Sequence, residues 1–252
     1  MCGRYASTKN PATLATEFDA IDGTEGLARG PEYNVAPTTP VLSVVTRHPR
    51  DAEGSPDPER TVRSIRAMRW GLVPHWAKDP GVGSRMINAR AESAATKPAF
   101  RDAVARRRCL LPADGWYEWQ PTAHPRKQPF FITPADGSGL AMAGLWATWR
   151  GPDAAAPPLV TCAVLTTAAV GRLAGIHDRM PLVLPAEAWE DWLNPDSADP
   201  GLLLAPPSQQ LVEGLELRPV SMAVNNVRRH GPELVKRIEL EAPALFDADR
   251  PR

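Results

Sequence analysis

Cys2 follows the initiator methionine directly, a position where a cysteine has chemistry that no internal cysteine offers. Cysteine is small enough for Met1 to be removed before it, which would leave Cys2 with a free α-amine beside its thiol. An α-amine titrates near pH ~7.7, against ~10.4 for lysine, so at neutral pH it is far more often uncharged and able to attack an aldehyde. The thiol can then close on the imine carbon to give a thiazolidine ring. The alternative interpretation is an ordinary buried cysteine.

Glu118 lies within a run of aromatic residues, Trp116-Tyr117-Glu118-Trp119. If this run is a strand, Trp116 and Glu118 point to one side, and Tyr117 and Trp119 point to the other. A carboxylate among indole rings is poorly solvated, so its pKa should rise. A carboxyl group that titrates near neutrality can act as a general acid and base. The alternative is a strand glutamate held by an ion-pair partner.

Two further polar residues are candidates for the same chemistry, His177 and Asn88. His177 precedes Pro181 by four residues, which favours a rigid loop, and its ordinary pKa makes it a natural proton shuttle. Asn88 can donate and accept hydrogen bonds at a reacting centre. A structural histidine and a turn or cap asparagine are the alternatives.

Arginines and tryptophans accompany these candidates closely in the sequence. Arginine forks suit phosphate oxygens, and indole rings stack on unpaired bases. The candidates for a nucleic-acid surface are Arg4, Arg85, Arg90, Arg179, Trp70, Trp76 and Trp119. Surface arginines and core tryptophans remain the alternatives at each position.

The elements that must position these residues are mostly strands. Period-two and β-branched patterns predict strands over 41–46, 62–70, 109–112, 116–119, 159–167 and 215–220. Helical patterns predict helices over 11–19, 91–106 and 185–193, the first capped by Asn10 with Pro11 at its first position. Residues 130–132 and 140–149 are predicted to pair as a hairpin across Asp136-Gly137. The sequence therefore predicts one α+β domain, mostly β and barrel-like.

Composition limits the classes of function. The 252 residues include 29 Lys and Arg and 29 Asp and Glu, a balance that argues against a globally basic coat but permits a local basic groove. Three cysteines are too few for a disulfide framework, and no C-x-x-C pair suggests zinc. We expect a reducing cytosol, a monomer, and no metal or organic cofactor. No apolar segment is long enough to span a membrane, and the start lacks the layout of a signal peptide.

Several of these pieces together resemble one protein family. The matching blocks are Met1-Cys2-Gly3-Arg4, Tyr33-Asn34-Val35-Ala36-Pro37, Arg69-Trp70-Gly71-Leu72-Val73-Pro74, Ile87-Asn88-Ala89-Arg90-Ala91-Glu92, Cys109 to Trp119, Thr166-Thr167 and Ile176-His177-Asp178-Arg179-Met180-Pro181. The chain resembles the SRAP (SOS response-associated peptidase) family, which includes sensors of abasic sites in single-stranded DNA. So many blocks in one order make the resemblance specific.

The resemblance implies a single compact domain over 1–240, with a mainly antiparallel, barrel-like β core, peripheral helices and a loose tail over 241–252. It implies that mature Cys2 crosslinks to the ring-opened aldehyde of an abasic sugar in single-stranded DNA. Asn88, Glu118 and His177 match the family's active-site residues. Arg90 and Arg179 match its phosphate-contacting arginines, and Trp119 occupies the position of an aromatic that lines the DNA path.

The peptidase in the family name implies at most self-removal of Met1. Two other functions stay open from the residues alone: an N-terminal-nucleophile cysteine amide hydrolase, and a module that binds single-stranded DNA without covalent chemistry. The expected partner is single-stranded DNA with abasic sites, in the cytoplasm or at the nucleoid, with no membrane partner.

Overall fold

Strands that close into a ring form the centre of the fold in the computed structural model, which describes residues 2–26, 30–122, 125–153 and 155–240. In the described residues the strands are β1 (Tyr5–Ser7), β2 (Ile21–Asp22), β3 (Glu32–Val35), β4 (Pro40–Arg47), β5 (Val62–Trp70), β6 (Asn88–Arg90), β7 (Arg108–Ala113), β8 (Gly115–Gln120), β9 (Gln128–Pro134), β10 (Leu140–Trp149), β11 (Leu159–Ala168), β12 (Arg179–Pro181), β13 (Val183–Leu184) and β14 (Leu215–Pro219).

The larger sheet runs in the order β12-β11-β10-β7-β4-β5-β2. Its long strands pair antiparallel from β11 through β10, β7 and β4 to β5. β5 then pairs back with β11 in parallel, with Thr161 opposite Arg69 and Cys162 opposite Trp70. This last pairing closes a five-stranded ring, so the prediction of a mainly antiparallel, barrel-like core is confirmed.

A second sheet, in the order β14-β9-β8-β1-β3, covers one side of the barrel. Its pairings are antiparallel throughout. Tyr5, Trp116 and Ile132 from this sheet share one buried cluster with barrel residues such as Leu111 and Met142. The two sheets therefore pack on a common core, and Cys2 belongs to it.

Helices in the described residues are short and lie around the sheets: α1 (Pro11–Glu17), α2 (Ala91–Ala94), α3 (Arg101–Arg106), α4 (Trp189–Leu193) and α5 (Gln209–Glu213). Asn10 caps α1 as predicted, since its side chain accepts a hydrogen bond from the Thr13 N–H at 2.8 Å. None of the described helices has the length and apolar character needed to cross a membrane.

Two predicted elements are wrong. The single helix expected over 91–106 is split into α2 and α3, because Pro98 lies between them and has no N–H to continue a helix. The expected hairpin of 130–132 with 140–149 does not form, because β9 pairs with β8 and β14 in the second sheet while β10 pairs with β7 and β11 in the barrel. The tail predicted over 241–252 lies outside the described residues.

Gly71 makes a close backbone approach that no other residue type permits. Its φ is +126°, and a Cβ built on it would lie 2.6 Å from the Gly83 carbonyl oxygen. This contact fixes the loop that follows β5 against the segment Pro80–Arg85, a 3₁₀ turn that leads to β6.

We expect Gly71→Ala to lower the free energy of unfolding by roughly 2–4 kcal/mol, because the new side chain meets main-chain atoms and φ is unfavourable. Gly30→Ala is the matched control, since a Cβ there meets no atom within 4 Å. Urea unfolding of both variants measures the difference. Equal losses in the two variants would contradict the proposed close approach.

Candidate active site

Cys2 lies in the core beside the strand that carries Glu118. β1 pairs antiparallel with β8, with Tyr5 opposite Trp116. The Tyr117 N–H donates to the Arg4 carbonyl oxygen at 2.9 Å, so the pairing continues toward the N-terminus. Cys2 is 0% exposed and lies close enough to Glu118 for the charge of that carboxylate to act on its thiol. The burial of Cys2 and then the negative charge of Glu118 raise the pKa of its thiol.

Asn88 holds the main chain of Cys2 from the barrel side. Its Nδ2 donates to the Cys2 carbonyl oxygen at 2.8 Å. Asn88 starts β6, which pairs in parallel with β11, with Asn88 opposite Val164. Its Oδ1 is buried and has no hydrogen-bond partner among the described residues. An acceptor is therefore available next to the Cys2 backbone.

The environment of Glu118 follows the predicted alternation along β8. Trp116 joins the core cluster that contains Cys2, whereas Tyr117 and Trp119 belong to a separate cluster on the other face. Glu118 is 3% exposed. Burial, with a smaller contribution from the charge of Asp178, raises its pKa to about 7. A carboxyl group with this pKa exchanges a proton readily at neutral pH.

His177 lies on the loop between a 3₁₀ turn, Gly171–Gly175, and β12. Its Nδ1 accepts the Arg179 N–H at 2.9 Å and lies 2.8 Å from Asp178 Oδ1. The first contact suits a neutral ring with its proton on Nε2, and the second suits a protonated ring, so the two contacts serve alternate charge states. Burial lowers the pKa of His177, which favours the neutral ring at neutral pH.

One contact orders this loop internally, and a second ties it to the strand of Glu118. The His177 N–H donates to the Leu173 carbonyl oxygen at 3.1 Å. Gln120, at the end of β8, donates through Nε2 to the Gly175 carbonyl oxygen at 2.9 Å. The strand of Glu118 and the loop of His177 are thus hydrogen-bonded to each other.

Arg179 joins the two elements that flank the end of β11. Its guanidinium forms a bidentate pair with Glu92, at 2.7 and 2.9 Å, and donates to the Thr166 carbonyl oxygen at 2.6 Å. Thr166 pairs with Arg90 on one side and Pro181 on the other. The hydrogen bonds to Arg179 lower the pKa of Glu92. Sequence reasoning missed Glu92, although it closes the block that begins at Ile87.

Arg4 is held by a residue that sequence reasoning did not single out. Its Nη1 donates to Asn34 Oδ1 at 2.8 Å and to the Val224 carbonyl oxygen at 2.9 Å. Asn34 is 1% exposed, and its Nδ2 donates to the Arg229 carbonyl oxygen at 2.8 Å. Burial lowers the pKa of Arg4. Arg4 and Asn34 therefore fasten the segment near Val224 beneath the N-terminal strand.

Two open grooves border this cluster. One, of about 410 Å³, is lined by Asn88, by the exposed Arg90 and by Trp76, which is 56% exposed. The other, of about 450 Å³, is lined by Trp119 and Lys127 among others. Arg85 is exposed, but it is not among the residues that line either groove.

The ring of Trp119 is fixed in orientation at the second groove. Its Nε1 donates to Asn225 Oδ1 at 2.7 Å. The residue is half-buried, so part of the indole faces the open space. A fixed aromatic surface in an open groove is suited to stacking against a flat group.

Trp70 does not belong to either groove, and its prediction as a stacking residue is wrong. It is 0% exposed and packs edge-on against Tyr5 with ring centroids 5.2 Å apart. Its Nε1 donates to the Ile87 carbonyl oxygen at 2.8 Å, which supports the chain just before Asn88. Alternation along β5 gave the two faces of the strand but not which face meets the core.

In the described parts of the chain, no group of three or more His, Cys, Asp or Glu side chains is placed to hold a metal ion. The cluster presents an amide, a carboxyl group, an imidazole and the Cys2 backbone and thiol.

The sequence and the fold are both similar to those of known proteins. A model of the SOS response associated peptidase (SRAP) family matches residues 1–227. Abasic site processing protein YoqW of Bacillus subtilis (strain 168) is 36% identical over 243 residues, or 94% of this chain and 99% of that protein. Abasic site processing protein YedK of Escherichia coli (strain K12) is 35% identical over 245 residues, with the same coverage of 94% and 99%. A solved structure from Bacteroides thetaiotaomicron has the same fold, with a TM-score of 0.78, 22% identity and coverage of 94% and 100%.

The buried Glu118 predicts a pH-dependent stability. Its folded pKa of about 7 lies above the ~4.3 of a free glutamate, so the folded state keeps a proton that the unfolded state has released. The stability that this bound proton gives the folded state is fully present below pH ~4.3. It is lost as the pH rises from there through about 7. Between pH 5 and pH 8 the free energy of unfolding of the wild-type protein should therefore fall by on the order of 1–3 kcal/mol. The Glu118→Gln variant should not show this fall.

Urea unfolding at both pH values measures this difference, with the exposed Glu187→Gln as the matched control. If wild type and Glu118→Gln lose the same free energy of unfolding between the two pH values, the carboxyl group does not carry the shifted pKa.

Proposed function

This chain belongs to the SRAP family, and we propose on that basis that it processes abasic sites in single-stranded DNA by a covalent reaction at Cys2. The observation that carries the proposal is the contact of Asn88 with the Cys2 carbonyl oxygen, at 2.8 Å, beside the buried Glu118. The names of the two relatives, both abasic site processing proteins, support the same substrate.

The reaction begins with Cys2 as the first residue after removal of Met1. The α-amine attacks the aldehyde carbon of the ring-opened sugar, so that a carbon–nitrogen bond forms and a carbinolamine results. Loss of its hydroxyl as water leaves an imine. The Cys2 thiol then adds to the imine carbon, its proton passes to the nitrogen, and a thiazolidine joins protein and DNA.

Glu118 carries protons in these reaction steps. The closed sugar must lose one proton and gain another to open into the aldehyde. A carboxyl group with a pKa of about 7 can both accept and donate a proton at neutral pH. Burial also keeps the Cys2 thiol protonated at neutral pH, so its attack needs a base nearby. Glu118, whose charge acts on that thiol, is the group placed to receive the proton.

His177 and Asn88 have supporting roles. A protonated His177, with its Nδ1–H toward Asp178, can give its Nε2 proton to the departing hydroxyl. The ring is then neutral, and its Nδ1 can accept the Arg179 N–H. The unpartnered Oδ1 of Asn88 is suited to accept a hydrogen bond from the attacking amine. A held amine and aldehyde react at a high effective concentration.

The DNA strand reaches the buried Cys2 by way of the groove that Asn88 lines. Asn88 contacts both the groove and the Cys2 main chain, so the groove leads to within one hydrogen bond of Cys2. Arg90 offers a positive charge to phosphates at this groove, and Trp76 offers an exposed indole to a base. Removal of Met1 is then the only peptidase step that the mechanism requires.

Cys2→Ala keeps the α-amine and removes the thiol. We expect an adduct with an abasic oligonucleotide that borohydride traps but that does not survive heating without reductant, because the imine cannot close into a ring. A denaturing gel measures the adduct. Cys162→Ala, which removes another fully buried thiol, should keep the heat-stable band.

A heat-stable adduct formed by Cys2→Ala would show that the thiol does not close the ring. The same gel separates the other two functions. An amide hydrolase with Cys2 as nucleophile would ignore abasic DNA, and a module that only binds single strands would give no band that survives denaturation.

Arg90→Gln should weaken binding of an undamaged single strand several-fold at low salt and reduce the slope of log K against log [salt] by about 0.7, the value for one lost phosphate contact. Fluorescence anisotropy over a salt series measures both. Arg60→Gln, in an exposed loop, is the control. An unchanged slope in Arg90→Gln would remove this residue from the DNA path.

A further inference from the structure

A further cavity, apart from the two grooves, lies at the end of the barrel away from Cys2. It has a volume of about 240 Å³ and is lined by residues of β4, β5, β10 and the start of β11, including Val160. The candidate active site lies at the other end of β11, where Asn88 and Arg90 pair with Val164 and Thr166. Six residues of strand, or ~20 Å, separate Val160 from Thr166. The residues proposed for the DNA reaction do not line this cavity.

The wall of the cavity is apolar and includes an aromatic ring. Val45, Met68 and Trp146 are 1%, 3% and 7% exposed, so each presents only a small part of its side chain to the open space. Apolar walls with a few polar groups, at the mouth of a barrel, are typical of sites for small ligands. The volume suits one ring with a substituent rather than a run of nucleotides.

Two arginines stand beside this apolar wall without anionic partners. Arg66 is half-buried, and among the described residues its side chain donates only to Ser64 Oγ, at 3.1 Å, and to the Gly23 carbonyl oxygen, at 3.4 Å. Arg47 is exposed, its guanidinium lies 5.3 Å from the centroid of Trp146, and it makes no side-chain hydrogen bond to the described residues. No described carboxylate lies within ion-pair distance of either one.

The charges around the cavity do not balance. Partial burial and then the positive charges of Arg66 and Arg50 lower the pKa of Arg47. Glu25 also lines the cavity but forms no ion pair with the described residues. Two arginines and one glutamate line the cavity, and the charge of Arg50 also acts on Arg47, so the positive charge is in excess. A dianion offers each of the two lining guanidinium groups its own anionic oxygen.

We propose that this cavity binds a phosphate monoester, with the phosphate between Arg47 and Arg66 and a planar apolar group against Met68 and Trp146. Such a ligand has two sources, a free aromatic or nucleoside monophosphate and the 5′-phosphate end of a DNA strand. Both present the same terminal dianion beside a ring. The site is separate from the proposed chemistry at Cys2.

Calorimetric titration with phenyl phosphate tests the proposal. We expect saturable binding to wild type that falls at least about tenfold in Arg47→Gln and in Arg66→Gln, since each removes a charge-assisted contact. Phenol has only the ring of this ligand, and inorganic phosphate has only its anionic group. Each should bind at least about tenfold more weakly than phenyl phosphate. Arg90→Gln, at the other end of the barrel, should bind as wild type does, and Arg47→Gln should still crosslink abasic DNA.

A 5′-phosphorylated oligonucleotide without an abasic site, compared with its 5′-hydroxyl form, separates the two sources. Competition with phenyl phosphate by the phosphorylated strand alone identifies a strand end, and no competition by either strand identifies a free monophosphate. The absence of saturable binding of phenyl phosphate would overturn the proposal. So would binding that both arginine variants retain, or binding that Arg90→Gln abolishes.

Discussion

The hydrogen bond from Asn88 to the Cys2 carbonyl oxygen is the contact on which the arrangement of the site depends, because it joins two parts of the fold that have separate frameworks. Asn88 belongs to the barrel, through the parallel pairing of β6 with β11. Cys2 belongs to the second sheet, through the pairing of β1 with β8. Without this contact the N-terminal residues would be held from the second sheet, by the pairing of β1 with β8 and β3 and by the hydrogen bonds of Arg4. With it, Cys2 is also held from the barrel, by the 2.8 Å hydrogen bond between Asn88 Nδ2 and the Cys2 carbonyl oxygen.

Burial of Glu118 shows how the fold gives up stability at this position. A carboxyl group with 3% exposure loses most of its hydration, and the free-energy cost of ionising it appears as the pKa of about 7. An apolar residue in the same strand would not bear this cost. Strained or destabilised groups retained in a well-packed core occur mainly where function requires them. The position of Glu118 thus supports a catalytic role more strongly than the presence of a glutamate in the sequence does.

Local patterns predicted the strands well and their partners less well. Alternation over 116–119 correctly placed Glu118 and Trp116 on one face, because side chains alternate along any strand. The same rule could not say which face of β5 meets the core, so it did not decide between a stacking Trp70 and a core Trp70. Nor could the turn at Asp136-Gly137 show that β9 and β10 enter different sheets, because a turn residue fixes a local bend and not the pairing beyond it. Pairings such as Arg179 with Glu92, 87 residues apart, arise only from the closed barrel.

The two arginines that match phosphate contacts of the family differ in what they can do here. Arg179 already shares its guanidinium with Glu92 and with the Thr166 carbonyl oxygen. A phosphate that replaced Glu92 would leave that carboxylate without the contacts that lower its pKa, so the exchange has a cost in free energy. Arg90 is exposed and forms no ion pair within the described residues, so a phosphate can bind it without breaking an existing contact. Arg90 is therefore the arginine that is free to take up a phosphate, whereas Arg179 holds β12 to α2 and β11.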